Sequence, residues 1–154
     1  MIIIIGVVIG GVFLYNSRNE NEAENREPTP KAMLAEKNAV VMNDQKPGTS
    51  LVGSTVYLEN SGFLVIHEDA NGAPGQILGA SALLQSGENK NIRVTLTRQT
   101  KDGETLHAML HADSDGNGKF QASIDTPVQS ILGGPIHGMF KISAQAQENI
   151  PVSL

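Results

Sequence analysis

Three of the four histidines in this 154-residue chain, His67, His107 and His111, fall in apolar stretches, and Met109 stands between the last two. Neutral imidazole and thioether are ligands for copper, zinc or another late metal. In an extended strand successive side chains point to opposite faces, so residues 107, 109 and 111 share one face while Leu106, Ala108 and Leu110 share the other. Positions i and i+4 on a strand lie about 13 Å apart, too far to share one ion. A late-metal site at His67, His107 and His111 therefore requires a neighbouring strand to bring in His67, or His137 from its glycine-rich segment. The plainer expectation is half-buried histidines on the outer face of a sheet, hydrogen-bonded locally.

The strand runs straight into a second group of donors. Asp113, Asp115 and Asn117 place oxygens at every second position, and Gly118 occupies the sixth, as in the first half of an EF-hand calcium loop. Gln121 stands where a water-mediated ligand would sit. The twelfth position of that register is Ile124 rather than the bidentate glutamate, and the flanks read as strands, so the same residues equally make a polar hairpin turn that caps its own backbone.

Other constellations lead nowhere catalytic. His67-Glu68-Asp69 with Ser81 or Ser86 has the residue types of a hydrolytic triad, but no G-x-S-x-G elbow is present, and neighbouring strand residues face opposite sides. Ala73-Pro-Gly75 and Gly133-Gly-Pro135 lack the lysine and serine of a phosphate loop and read as turns. No residue is assigned a catalytic role, and no enzyme is expected. No cofactor is required either; the alternative is calcium at the acidic turn or copper or zinc at the histidines.

The elements that would carry these residues are short apolar runs separated by turn chemistry. Runs 39–42, 52–58, 63–67, 76–84, 92–97, 105–112, 119–124 and 139–144 all have strand length. Lys46-Pro-Gly, Asn60-Ser-Gly, Asn71-Gly and Lys101-Asp-Gly lie among the breaks. Ile92, Val94 and Leu96 alternate with Arg93, Thr95 and Thr97, and Phe140 and Ile142 with Met139 and Lys141. The pattern predicts an all-β, antiparallel, Ig-like sandwich of about seven to eight strands over 38–154. With no Trp and only four Phe and two Tyr, its core must be mostly aliphatic.

Ile2–Tyr15 contains no charged residue and is predicted to be a hydrophobic helix. At about 1.5 Å per residue it covers about 21 Å, short of a hydrocarbon core of about 30 Å. An uncleaved membrane anchor is the expected reading, because the run has neither a basic flank before it nor a small-residue cleavage site after it. A cleaved signal core and a helix packed in protein remain alternatives. Residues 16–37, rich in Asn and Glu and interrupted by Pro28 and Pro30, form a polar linker, in which Thr29 would cap a short helix over Lys31–Lys37.

The net charge of −5 argues against nucleic acid as a partner. Residues 1–37 carry four basic and five acidic side chains, so seven basic and eleven acidic remain in 38–154, and the acidity belongs to the folded part. With no cysteine, disulfides and thiolate sites are excluded.

Several blocks together are familiar: Phe63-Leu-Val-Ile-His-Glu-Asp69, Gly75-Gln-Ile-Leu-Gly-Ala-Ser-Ala-Leu-Leu84, Asn91-Ile-Arg-Val-Thr-Leu96, Thr105-Leu-His-Ala-Met-Leu-His-Ala-Asp113 and Asp125-Thr-Pro-Val128. In this order they resemble DUF7282, a domain of unknown function in exported and surface proteins of halophilic archaea and of bacteria. The resemblance spans roughly 52–144 and implies a β-sandwich-like exported module; it brings no catalytic residues. The chain is only mildly acidic, so a halophilic setting is not implied. The expectation is a single-pass protein held in the cell membrane through residues 2–15. Its C-terminal domain would lie outside, with a structural role or one in binding or adhesion to a protein or surface polymer.

Overall fold

Residues Gly62–Asp69 and Thr105–Ala112 are buried on both faces over most of their length, and in a computed structural model, which describes residues 36–147, they lie side by side at the centre of a sheet. Seven strands are formed: β1 (Ala39–Val41), β2 (Ser50–Leu58), β3 (Gly62–Asp69), β4 (Pro74–Ala80), β5 (Gly87–Thr95), β6 (Thr105–Ala112) and β7 (His137–Lys141). β1-β2-β5 make one sheet and β4-β3-β6-β7 the other, with every strand pair antiparallel. Among the described residues there is no helix, so none is long and apolar enough to cross a membrane.

The core lies between the sheets. Leu51, Val56, Ile92 and Val94 from the three-stranded sheet meet Leu64, Ile66, Leu106, Leu110 and Phe140 from the other. At about 25 cal/mol per Å², burying such aliphatic side chains is the main stabilising term. The two sheets differ on their outer sides. β5 alternates, with Ile92 and Val94 buried and Arg93 and Thr95 exposed, as expected of a sheet with one wet face. In β3 and β6 the outward residues Phe63, Val65, His67, His107, Met109 and His111 are buried too, which is why these strands read as nearly unbroken apolar runs.

Close backbone approach fixes Gly62 at the start of β3. A Cβ there would collide with the backbone carbonyl oxygen of His111, its neighbour's partner on β6. Gly62 also exchanges backbone hydrogen bonds with Leu84 on its other side, at 3.1 and 2.8 Å, so it has no direction in which to retreat. Gly62→Ala is expected to lower stability by about 1–3 kcal/mol in urea unfolding, the usual range for overpacking.

Most expected strands are present, and Thr105–Ala112 has the same limits as predicted. Three differ. Run 76–84 gives way after Ala80, where Ser81 and Leu84 bond back to β3. The run expected at 139–144 forms its strand at His137–Lys141, while Ile142 bridges in parallel to Gln45. Run 119–124 is not a strand. Residues 121–125 curl into a turn, with the amides of Ile124 and Asp125 both donating to the Gln121 carbonyl at 2.9 and 2.8 Å. Phe120 is drawn inward against Phe63 instead of alternating along a hairpin. The hydrophobic N-terminal helix over 1–15, the linker as far as residue 35 and most of the short helix expected at Lys31–Lys37 lie outside the described residues; Glu36 and Lys37 themselves are not helical.

Candidate functional site

All four histidines of the chain stand on the outer face of the four-stranded sheet. In the register, His67 faces His107 across β3 and β6, Met109 is flanked by Val65 on one side and His137 on the other, and His111 faces Phe63. His107 and His111 lie four residues apart on β6, and each finds its partner on another strand. The ring centres of His111 and His67 lie 5.7 Å apart with their planes inclined by 21°, and His107 lies 5.3 Å from His137.

His67, His107 and His111 are buried, at 7%, 0% and 4% exposure, rather than half-buried as the sequence suggested. His67 is bonded to Gly75 and His107 lies against Asp69 and His137, whereas for His111 the cover is the segment after β6. Instead of returning as a hairpin strand it folds over the sheet, placing Phe120 edge-on against both Phe63 and His111. Asp125 staples that segment. Its carboxylate accepts the amides of Ser114 (3.0 Å) and Gln121 (2.6 Å), while its carbonyl accepts Nδ1–H of His111 (2.7 Å).

Hydrogen-bond partners fix the tautomers. A carbonyl oxygen only accepts, so Nδ1 carries the proton both in His111, facing Asp125, and in His67, facing the Gly75 carbonyl at 2.8 Å. That leaves Nε2 of each neutral ring with a bare lone pair, and both Nε2 atoms are buried without a partner. Burial pushes both imidazoles below their ordinary value, against the opposing pull of those carbonyl bonds. His107 is arranged differently. Its Nε2 donates to the Asp69 carboxylate at 2.8 Å, and in the neutral ring its Nδ1 accepts from Nδ1–H of His137 at 3.3 Å. Asp69 borders an open groove of about 600 Å³ that Thr105, Met139 and Lys141 also line.

The acidic turn gathers a different trio from the one predicted. Asp113 and Asp115 converge with Asp125, their carboxylate oxygens lying within 4.8 Å of one another. Asn117 turns away, its side-chain oxygen accepting the Lys119 amide and its amide group donating to Asp115. Asp113 accepts the Gly118 amide, and Asp115 accepts from the Asn117 amide and from Gln121 Nε2. Each of these oxygens is thus occupied in capping local backbone or side chains, which is the hairpin-cap chemistry carried by a loop that does not form the hairpin.

Ser81 is held away from the histidines' chemistry: its Oγ accepts the Leu64 amide at 3.0 Å and donates to the Ala82 carbonyl. Two contributors escaped sequence reasoning. Asp69 shares a strand face with His67 by the period of two, so its place beside His107 was readable from alternation. Asp125 offered no such signal, because its role depends on a loop closing over a sheet face.

A family model described as "Domain of unknown function (DUF7282)" matches residues 38–143. The chain is similar to Cell surface glycoprotein 2 of Haloarcula hispanica, 27% identical over 108 residues, which are 70% of this chain and 12% of that protein. It is also similar to Cell surface glycoprotein 1 of the same organism, 32% identical over 77 residues, 50% of this chain and 8% of that protein. The chain therefore spans about a tenth of the length of the curated relatives it matches. No solved structure matches it.

Proposed function

The chain belongs to the DUF7282 family, and from that premise we propose that it is a membrane-anchored, exported protein displaying one Ig-like β-sandwich at the cell surface as a structural or binding module. The observation that carries this reading is the recurrence of the domain inside two far longer proteins, both named as cell surface glycoproteins. A domain that makes up so small a share of each is used there as a building block, and the same use is carried over to this chain. An N-linked glycan is not carried over, since the sequence contains no Asn-x-Ser or Asn-x-Thr.

The sheet order supports the Ig-like assignment. β1, β2 and β5 against β3, β6 and β7 is the immunoglobulin arrangement, with β4 paired to β3 instead of β5. Contacts to a partner would come from the loops at the ends of this rigid body. The loop before β7 is suited to them, since Leu132 is 82% and Ile131 56% exposed, and its apolar tip favours a protein or surface-polymer ligand over nucleic acid. The anchor rests on the uncharged apolar run of residues 2–15, followed by a polar stretch long enough to hold the domain clear of a bilayer.

The test is fractionation of cells expressing the full chain with a C-terminal tag. The tag is expected in the membrane pellet after a carbonate wash, to be removed by protease added to intact cells, and to leave the pellet when residues 1–35 are deleted. A protease-resistant tag in the cytoplasm overturns the proposal.

A further inference from the structure

We propose that the buried outer face of the four-stranded sheet holds one copper(I) ion between Nε2 of His67 and Nε2 of His111, with the thioether of Met109 as third ligand. This goes beyond surface display and does not depend on it.

The argument begins with the two orphaned nitrogens. A buried polar atom without a partner costs of the order of 1–3 kcal/mol, so two on neighbouring rings call for a ligand. Both rings are set up as metal-bound histidines are. Each donates Nδ1–H to a backbone carbonyl, at 2.8 Å for His67 and 2.7 Å for His111, which fixes the ring and leaves the Nε2 lone pair for an ion. Spacing agrees. A metal–nitrogen bond of about 2.0 Å puts an ion about 3.2 Å from a ring centre. Two imidazoles on one ion then have centres about 5 to 6.3 Å apart for bond angles from tetrahedral to linear. The observed separation of 5.7 Å lies inside that range.

Register supplies the third donor. The cross-strand pair Val65–Met109 lies between the pairs His67–His107 and Phe63–His111, on the same face, so the two rings reach toward each other across it. Met109 is 5% exposed, and its unbranched chain can bring sulfur to irregular gaps. Two neutral nitrogens and a thioether, without carboxylate or open water, suit soft, low-coordinate copper(I) rather than calcium or magnesium. His107 and His137 make a weaker case for an ion of their own. The lone pair of His107 Nδ1 already faces His137, neither ring has an unpartnered buried nitrogen, and His137 is exposed.

The full chain, purified in detergent, is titrated anaerobically with copper(I) in competition with bicinchoninate, ascorbate keeping the metal reduced. One copper per chain is expected to leave the chelator. His67→Ala and His111→Ala should each weaken binding by at least about tenfold, and Met109→Leu by about tenfold. His137→Ala should change it less than about twofold. X-ray absorption of the copper-loaded chain should show two nitrogen and one sulfur neighbours, with sulfur lost in Met109→Leu. Circular dichroism reports folding, and His67→Gln replaces His67→Ala if the latter does not fold. No copper withdrawn by the natural sequence, affinity unchanged in His111→Ala, or a large loss in His137→Ala overturns the proposal.

Discussion

Asp125→Ala is expected to destabilise the domain by about 3–5 kcal/mol, the loss of two hydrogen bonds to one charged acceptor at about 1.5–3 kcal/mol each. Asp125 is 1% exposed and takes the Ser114 amide with one carboxylate oxygen and the Gln121 amide with the other. These two bonds tie both ends of the covering segment to one side chain. Their loss releases Phe120 from Phe63 and His111 and opens the histidine face. Asp125→Asn should fall between the natural sequence and the alanine variant, since one amide oxygen replaces one of the two acceptors and the NH2 group meets a donor. Urea unfolding measures the stability, and hydrogen exchange at Ser114 and Gln121 locates it. A change in Asp125→Ala below about 1 kcal/mol would mean the segment is held by other contacts.

How much of this was readable in advance depends on whether the decisive contact was local. Alternation placed Ile92 and Val94 inside and Arg93 and Thr95 outside, because side-chain direction in a strand is set by the backbone itself. It also placed His107, Met109 and His111 on one face, and geometry required their partners to come from neighbouring strands, as His67 and His137 do. Run 119–124 departs from the expected strand, since Asp-Gly and Asn-Gly are hairpin signals and nothing within the stretch announces that Phe120 is needed elsewhere. That need is set by Phe63 and His111, well away along the chain. The same long-range covering turned an expected half-buried His111 into a buried one. It also moved the acidic convergence from Asn117 to Asp125.

Acid should begin to destabilise the metal-free domain as the pH falls through the ordinary histidine value of 6.5. His67 and His111 are 7% and 4% exposed, and burial is the largest cause lowering each below the ordinary 6.5. The groups facing them are His107 and His137 around His67, and His67 and Asp125 around His111; the neighbouring imidazoles push the same way as burial, whereas Asp125 opposes it. Protonation would also give each Nε2 a hydrogen with no acceptor. The unfolded chain takes up these protons near pH 6.5 while the native state still refuses them, so the unfolded state binds more protons and stability rises with pH. Their contribution is complete above the unfolded value and is lost progressively below it, down to the folded values. In that window each ring contributes a slope of up to about 1.4 kcal/mol per pH unit, and the pair up to about 2.7. Urea midpoints at pH 7.5, 6.5 and 5.5 in the presence of a chelator should therefore be nearly level over the first step and fall steeply over the second. His67→Gln and His111→Gln should each remove about half of that fall, because an uncharged side chain has no proton to refuse. Equal midpoints at pH 6.5 and 5.5 would mean that both rings accept protons in the folded state, which would require water or a carboxylate to reach their Nε2 atoms.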